Sequence, residues 1–251
     1  MKNIAKNNLA LLYSYLIKFF PTKGVRVLMY HALNTKLPHD SYGISIDFDL
    51  FCQQIFLLKQ NNYIFVPLSE VRSNLDRDKH VSISFDDGYK DNMLAARFLN
   101  NLEIPFTIFI ISDFIDQQIY LSTAEIKELS NLKFCTLGAH GKTHSKLGTL
   151  SYIEQKVELE TCKKLIEDIT SKEIDQLSFP HGSFNQNTIE IINNIGFNLA
   201  ASSLHGLNTK NNFDKYKLRR TEILGHDGLN IFQKKIEAGY DYLKFKDYIL
   251  K

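Results

Sequence analysis

The chain is poor in cysteine and in proline and carries no excess of either charge. Its 251 residues include 3 cysteines, Cys52, Cys135 and Cys162, which are widely spaced and odd in number. No CxxC pair occurs, so neither a disulfide framework nor a thiolate zinc site is indicated. Such usage suits a reducing compartment. The 5 prolines and 12 glycines exclude a collagen-like or linker-dominated chain. Lys+Arg number 30 and Asp+Glu 28, a formal charge of +2. With no dense basic stripe, no nucleic-acid partner is expected. No stretch is long enough to span a bilayer as a helix. The most apolar one, Leu9–Phe20, is short and contains Lys18.

What remains is an ordinary globular composition: 44% hydrophobic, 12% aromatic and 23% charged. Enough Ile, Leu, Val and Phe is present to fill a core, which argues against intrinsic disorder. The length suits one barrel or doubly wound domain, with two small domains as the competing organisation. There is no internal repeat.

Short β-rich runs alternate with helical stretches, the pattern of an α/β fold with a mostly parallel sheet. Strands are predicted at Val25–Tyr30, Tyr63–Val66, Val81–Phe85, Phe106–Ile111, Phe134–Leu137, Leu177–Phe179 and Asn198–Ala201. Helices are predicted at Phe48–Gln60, Asn92–Asn101 and Thr123–Ser130. Another runs from the capping box Ser151-x-x-Glu154 to about Thr170, one covers Thr188–Ile195 before Gly196, and a last spans Ile231–Tyr240. Seven or so strands, each followed by a helix or loop, suggest an irregular (β/α) barrel; an open doubly wound sheet is the alternative. In either fold the chemistry gathers at the C-terminal ends of the strands.

Polar residues stand at just those ends. Asp86 and Asp87 follow VSISF, and adjacent carboxylates repel unless a cation or proton intervenes. His140 and His144 follow another strand, and a spacing of four lets both imidazoles reach one point if the residues between them form a helical turn. Two imidazoles and a carboxylate make a three-donor set for a divalent metal, with positions left for water. On the residues alone two plainer readings stay open: an aspartate capping the next helix, and unrelated loop histidines. His31 ends the first strand, Pro180-His181-Gly182 follows another, and His226 lies in Leu224-Gly225-His226-Asp227. His39, His80 and His205 read as surface residues.

Together, Ser84-Phe85-Asp86-Asp87-Gly88 and His140-x-x-x-His144 resemble the first two motifs of the polysaccharide deacetylases, carbohydrate esterase family 4 or NodB-homology group. Phe179-Pro180-His181-Gly182 resembles the third. Leu28-Met29-Tyr30-His31 at the start, and Leu218-Arg219-Arg220 late in the chain, are similar to the poly-N-acetylglucosamine deacetylase branch. The likeness runs from about Val25 to Thr221. The arginine that many members carry before the third-motif proline is absent; Ser178 and Phe179 stand there.

The resemblance implies a single NodB-like catalytic domain at 25–251 and hydrolysis of an N-acetyl group from an amino sugar, in a polysaccharide or on a lipid-linked glycan. It implies a divalent metal, zinc before cobalt, nickel or manganese, on Asp87, His140 and His144. Asp86 becomes the general base and His31 the general acid, with His226 as the fallback. Pro180, His181 and Arg220 become candidates for substrate or oxyanion contact. Two other readings remain: an amidohydrolase for small non-sugar amides, and a glycan-binding protein without turnover. Residues 1–24 read as an N-terminal helix, packed on the domain or lying at a membrane interface with Lys2, Lys6 and Lys18 near headgroups, with a retained or cleaved signal as the third reading. No small-residue cleavage site follows Leu9–Phe20, so a cytoplasmic or inner-membrane cytoplasmic-face location is expected over secretion.

Overall fold

The computed structural model describes residues 23–37, 40 and 42–243. The expected helix over 1–24 therefore lies outside the described residues, except for its last two positions, and so does His39. Seven parallel strands form a closed barrel. They are β1 (Val25–Tyr30), β2 (His80–Phe85), β3 (Phe106–Ile110), β4 (Cys135–Ala139), β5 (Gln176–Ser178), β6 (Leu199–His205) and β7 (Leu218–Glu222). Each pairs with the next, and β1 pairs with both β7 and β2, which closes the ring. The expected barrel is the observed architecture, and the open sheet is not.

Among the described residues, six α-helices connect or flank the strands: α1 (Phe48–Gln60), α2 (Asn92–Asn101), α3 (Thr123–Ser130), α4 (Tyr152–Thr170), α5 (Gln186–Asn194) and α6 (Leu229–Ile236). The first three have their predicted limits. α4 opens on the predicted capping box, in which Ser151 and Glu154 each accept the other's backbone N–H. A cap of this kind contributes about 1 kcal/mol. α5 starts at Gln186 rather than Thr188 because the Asn185 side chain caps it. α6 stops at Ile236 rather than Tyr240, close to Ala238 in a left-handed conformation (φ +64°).

The strand predicted at Phe134–Leu137 runs instead to Ala139, where Gly138 and Ala139 pair with Phe109 and Ile110. Gly138 suits this register because a Cβ there would lie 2.5 Å from the Phe109 ring. β7 escapes the apolar pattern altogether, since LRRTE is mostly polar.

Alternation along the strands sorts two layers. Val25, Val27, Phe109, Leu199, Ala201 and Leu218 belong to an interior cluster, joined by Val66, Leu68, Val71 and Leu75. Leu28, Tyr30, Ile83, Phe85, Ile108 and Ile110 belong to the larger cluster that holds the helices on the outside. Burying a large apolar side chain of this kind is worth about 1.5–3 kcal/mol. In β2 the same period of two sets Ser82, Ser84 and Asp86 apart from outward-facing Val81, Ile83 and Phe85, and all three polar residues are buried. The barrel interior thus turns from apolar to polar toward the strand ends.

Candidate active site

Parallel strands place their C-terminal ends on one rim, so residues distant in sequence meet there. Asp86 N–H donates to the Tyr30 carbonyl (2.9 Å), which continues the β1–β2 register and brings His31 beside the aspartate pair. His140 N–H donates to the Ile110 carbonyl (2.8 Å) and enters the same rim from β4. The chain then turns sharply. Asp87 (φ +73°), His144 (φ +63°) and His181 (φ +56°) all adopt left-handed backbone. For a non-glycine residue that costs of order 1–3 kcal/mol, a strain common at functional sites.

Three donor atoms converge. Asp87 Oδ1 lies 3.3 Å from His140 Nε2 and 3.4 Å from His144 Nε2, and all three atoms lie within 4.8 Å of one another. Donors on a tetrahedral ion with bonds of about 2.0–2.1 Å stand about 3.3 Å apart, so the two aspartate–imidazole separations fit a divalent metal. His140 Nδ1 donates to the Ser178 carbonyl (2.8 Å), which fixes the ring with Nε2 facing Asp87. The donor chemistry and the outer hydrogen bond both suit the group that the sequence implies.

Asp86 sits beside this trio, its Oδ2 at 3.9 Å from His140 Nε2. It takes part in a buried fork: Arg220 Nη1 and Nη2 donate to its two oxygens, each at 2.7 Å. Ser178 Oγ donates to Oδ2 (3.0 Å). Arg220 is anchored in turn by the Ser202 carbonyl (2.9 Å). Burial alone would raise the Asp86 pKa, but the charges of Arg220 and then His140 hold it well below the usual carboxylate range. Asp87 is likewise lowered against burial, mainly by its hydrogen bond to His140 and that residue's charge. His140 is raised: burial pulls it down, and Asp86 and Asp87 outweigh that. His144 falls to about 4 through burial and the neighbouring His140 charge.

The remaining predicted residues divide. His31 is half-buried, its carbonyl accepting from Asn92 Nδ2 (2.8 Å). Its charge is close enough to lower both aspartates. His31 Nδ1 is buried without a hydrogen bond among the described residues. Pro180 is buried and packs on Gly141. His181 is exposed, its Nε2 3.1 Å from the His144 carbonyl and its ring 4.3 Å from that of His144. Arg220, expected as a substrate or oxyanion contact, is instead spent on the buried Asp86 carboxylate. It has no exposed surface and points into the barrel, where it holds Asp86.

His226 is exposed, with its ring against Gly43. The loop after β7 is tied there by Gly225 N–H to the Gly43 carbonyl (2.6 Å). His205, read as a surface residue, is largely buried 3.7 Å from Asp241. Sequence reasoning missed Ser178, which serves Asp86 with its hydroxyl and His140 with its carbonyl. The only local signal was its place two residues before the third-motif proline.

A family profile described as polysaccharide deacetylase matches residues 74–200. YxkH of Bacillus subtilis (strain 168), whose name assigns it to the polysaccharide deacetylases, is 25% identical over 203 residues, 78% of this chain and 70% of its own. Among solved structures, BC0361, a polysaccharide deacetylase from Bacillus cereus, is similar with a TM-score of 0.76 at 26% identity, over 86% of this chain and 69% of that one. The Streptococcus pyogenes deacetylase PplD, solved with acetate, reaches 0.75 at 22% identity, over 86% of this chain and 99% of its own. IcaB from Ammonifex degensii reaches 0.72 at 20%, over 85% and 97%. The last two likenesses speak for the fold alone.

Proposed function

Because the chain belongs to the polysaccharide deacetylase family, we propose that it is a metal-dependent hydrolase that removes N-acetyl groups from an amino sugar in a polysaccharide or lipid-linked glycan. The observation that carries this reading is the Asp87, His140 and His144 donor cluster with an ionised, immobilised Asp86 beside it. A divalent cation held by those three residues, zinc before cobalt, nickel or manganese, would lower the pKa of water from 15.7 toward about 7 and polarise the acetyl carbonyl.

The chain's own groups supply the rest. Asp86 is the general base. A carboxylate offers about four acceptor positions; Arg220 and Ser178 use three, which leaves room for one water O–H. Its low pKa keeps it ionised, and the fork to Arg220 fixes its direction. Asp86 takes a proton from the attacking water as the new C–O bond forms. The left-handed turn at His181 offers a backbone N–H to the developing oxyanion. His31, on the neighbouring strand end, gives a proton to the departing amine as the C–N bond breaks. Acetate and a free amino sugar result, with no net change in the protein's protons after His31 and Asp86 re-equilibrate.

Acetate release is the direct test. N-acetylglucosamine oligomers should be deacetylated, activity should vanish on chelation, and it should return with added zinc or cobalt. Turnover of small amides but not oligomers would move the substrate class. Oligomer binding with no acetate released by the metal-loaded protein would sink the enzymatic reading.

A further inference from the structure

The two imidazoles of the donor cluster sit on one short loop, and the hydrogen bonds of that loop can be followed almost completely. The Gly141 and Lys142 carbonyls accept from the backbone N–H groups of Ser112 (3.2 Å) and Asp113 (2.9 Å). The His144 carbonyl meets His181 Nε2. The N–H groups of Lys142 and Thr143 point the other way, to a single atom. Both donate to Glu158 Oε2 at 2.9 Å, and Thr143 Oγ1 donates to Glu158 Oε1 at 2.6 Å. Glu158 stands on α4 with 7% of its surface exposed. Two successive N–H groups aimed at one oxygen form a backbone nest, and the nest favours an anion. Gly141 precedes it in a left-handed conformation (φ +76°), and a Cβ there would stand 3.4 Å from Glu158 Oε2.

We infer that Glu158 is the positioning residue of the donor cluster: its carboxylate fills the nest at Lys142 and Thr143 and thereby sets His140 and His144 against Asp87. The inference rests on the metal reading above. The contacts to Ser112 and Asp113 are backbone to backbone and survive most substitutions. The nest depends on one side chain fifteen residues away from Thr143. Emptying it leaves two N–H donors without their acceptor, so the loop must turn them toward water. That rotation displaces the left-handed His144 and opens the trio. Groups that orient metal ligands from outside typically govern affinity by about 10- to 100-fold.

Cobalt(II) gives the test a readout beyond activity, because its visible spectrum follows ligand geometry. Glu158→Ala should bind Co2+ about 10- to 100-fold more weakly in chelator competition, with an altered spectrum. Glu158→Gln keeps an oxygen for the nest and should fall between that variant and the parent. Glu160→Ala, an exposed site on the same helix ion-paired with Lys156, should match the parent. Amide exchange at Lys142 and Thr143 should quicken in the metal-free Glu158→Gln protein, which reads the nest even if Glu158→Ala fails to fold. Parent-like affinity, spectrum and exchange in Glu158→Gln and any folded Glu158→Ala would overturn the inference. A parent protein that takes up no Co2+ would instead overturn the metal reading itself, and the inference with it.

Discussion

Two buried arginine–aspartate forks stand on opposite faces of the barrel wall. Arg220 grips Asp86 inside, both contacts at 2.7 Å. Arg26 grips Asp241 outside, at 2.9 and 3.0 Å, beneath the last helix. The geometry is nearly the same, yet their surroundings differ. The inner fork adds Ser178 and touches the rim where His140 and Asp87 meet. The outer fork adds Thr221 Oγ1 and the Ile236 carbonyl, so it ties the chain after α6 back onto β1 and β7. A buried ion pair is by itself weak grounds for either stability or catalysis. Its neighbours decide which: a fork beside the candidate metal donors fixes the direction of a carboxylate at the rim, and a fork beside a helix end holds a segment down.

The sharpest way to break this contrast is to neutralise each acid. Asp86→Asn should lower kcat/KM by about 10²–10⁴-fold, the usual reach of general base catalysis, while stoichiometric metal is retained by elemental analysis. Asp241→Asn should leave kcat/KM of the folded protein unchanged. Near-normal turnover in Asp86→Asn would remove that residue as the base.

Stability should not separate the two sites. Each Asn variant leaves an arginine charge buried and uncompensated, so each should lose about 3–5 kcal/mol in denaturant unfolding. Replacing a whole fork should behave differently. Arg26→Met with Asp241→Leu should recover most of that stability and keep activity. Arg220→Met with Asp86→Leu should recover stability and remain inactive. Activity in the second pair would place the base elsewhere.

The smallest effect belongs to pH. His205, beside the outer fork, is pushed by burial from its ordinary 6.5 to about 4. A depressed histidine favours the folded state fully above pH 6.5, and that support is lost as pH falls toward 4. At about pH 5 the loss should be about 2 kcal/mol relative to neutral pH. His205→Gln should therefore show a flatter stability profile between about pH 7 and pH 5. A parallel profile for variant and parent would show that His205 does not titrate against the fold.

Much was legible locally. In VSISFDD the alternation of serine with Val, Ile and Phe already turns Asp86 toward the side opposite the apolar residues. The four-residue spacing of His140 and His144 brings both to one aspartate, although a loop with a left-handed His144, not a helical turn, does it. The capping box before α4 announced its start. Strand ends were less legible, because Gly138 and Ala139 look like loop until Phe109 and Ile110 pair with them. β7 was illegible as a pattern, since the polar side chain that makes it useful, Arg220, also hides it.

By itself, then, the chain's residue order determined the α/β alternation, the capped helices and the candidate metal donors, because each depends on neighbours within a few positions. Only the closed barrel decided which basic group faces Asp86, since Arg220 lies 134 residues away and reaches it through strand register alone. The same closure made Ser178 a partner to both His140 and Asp86 and put Glu158 under the histidine loop. No short-range preference could encode those contacts, because they exist only once seven strands share one rim.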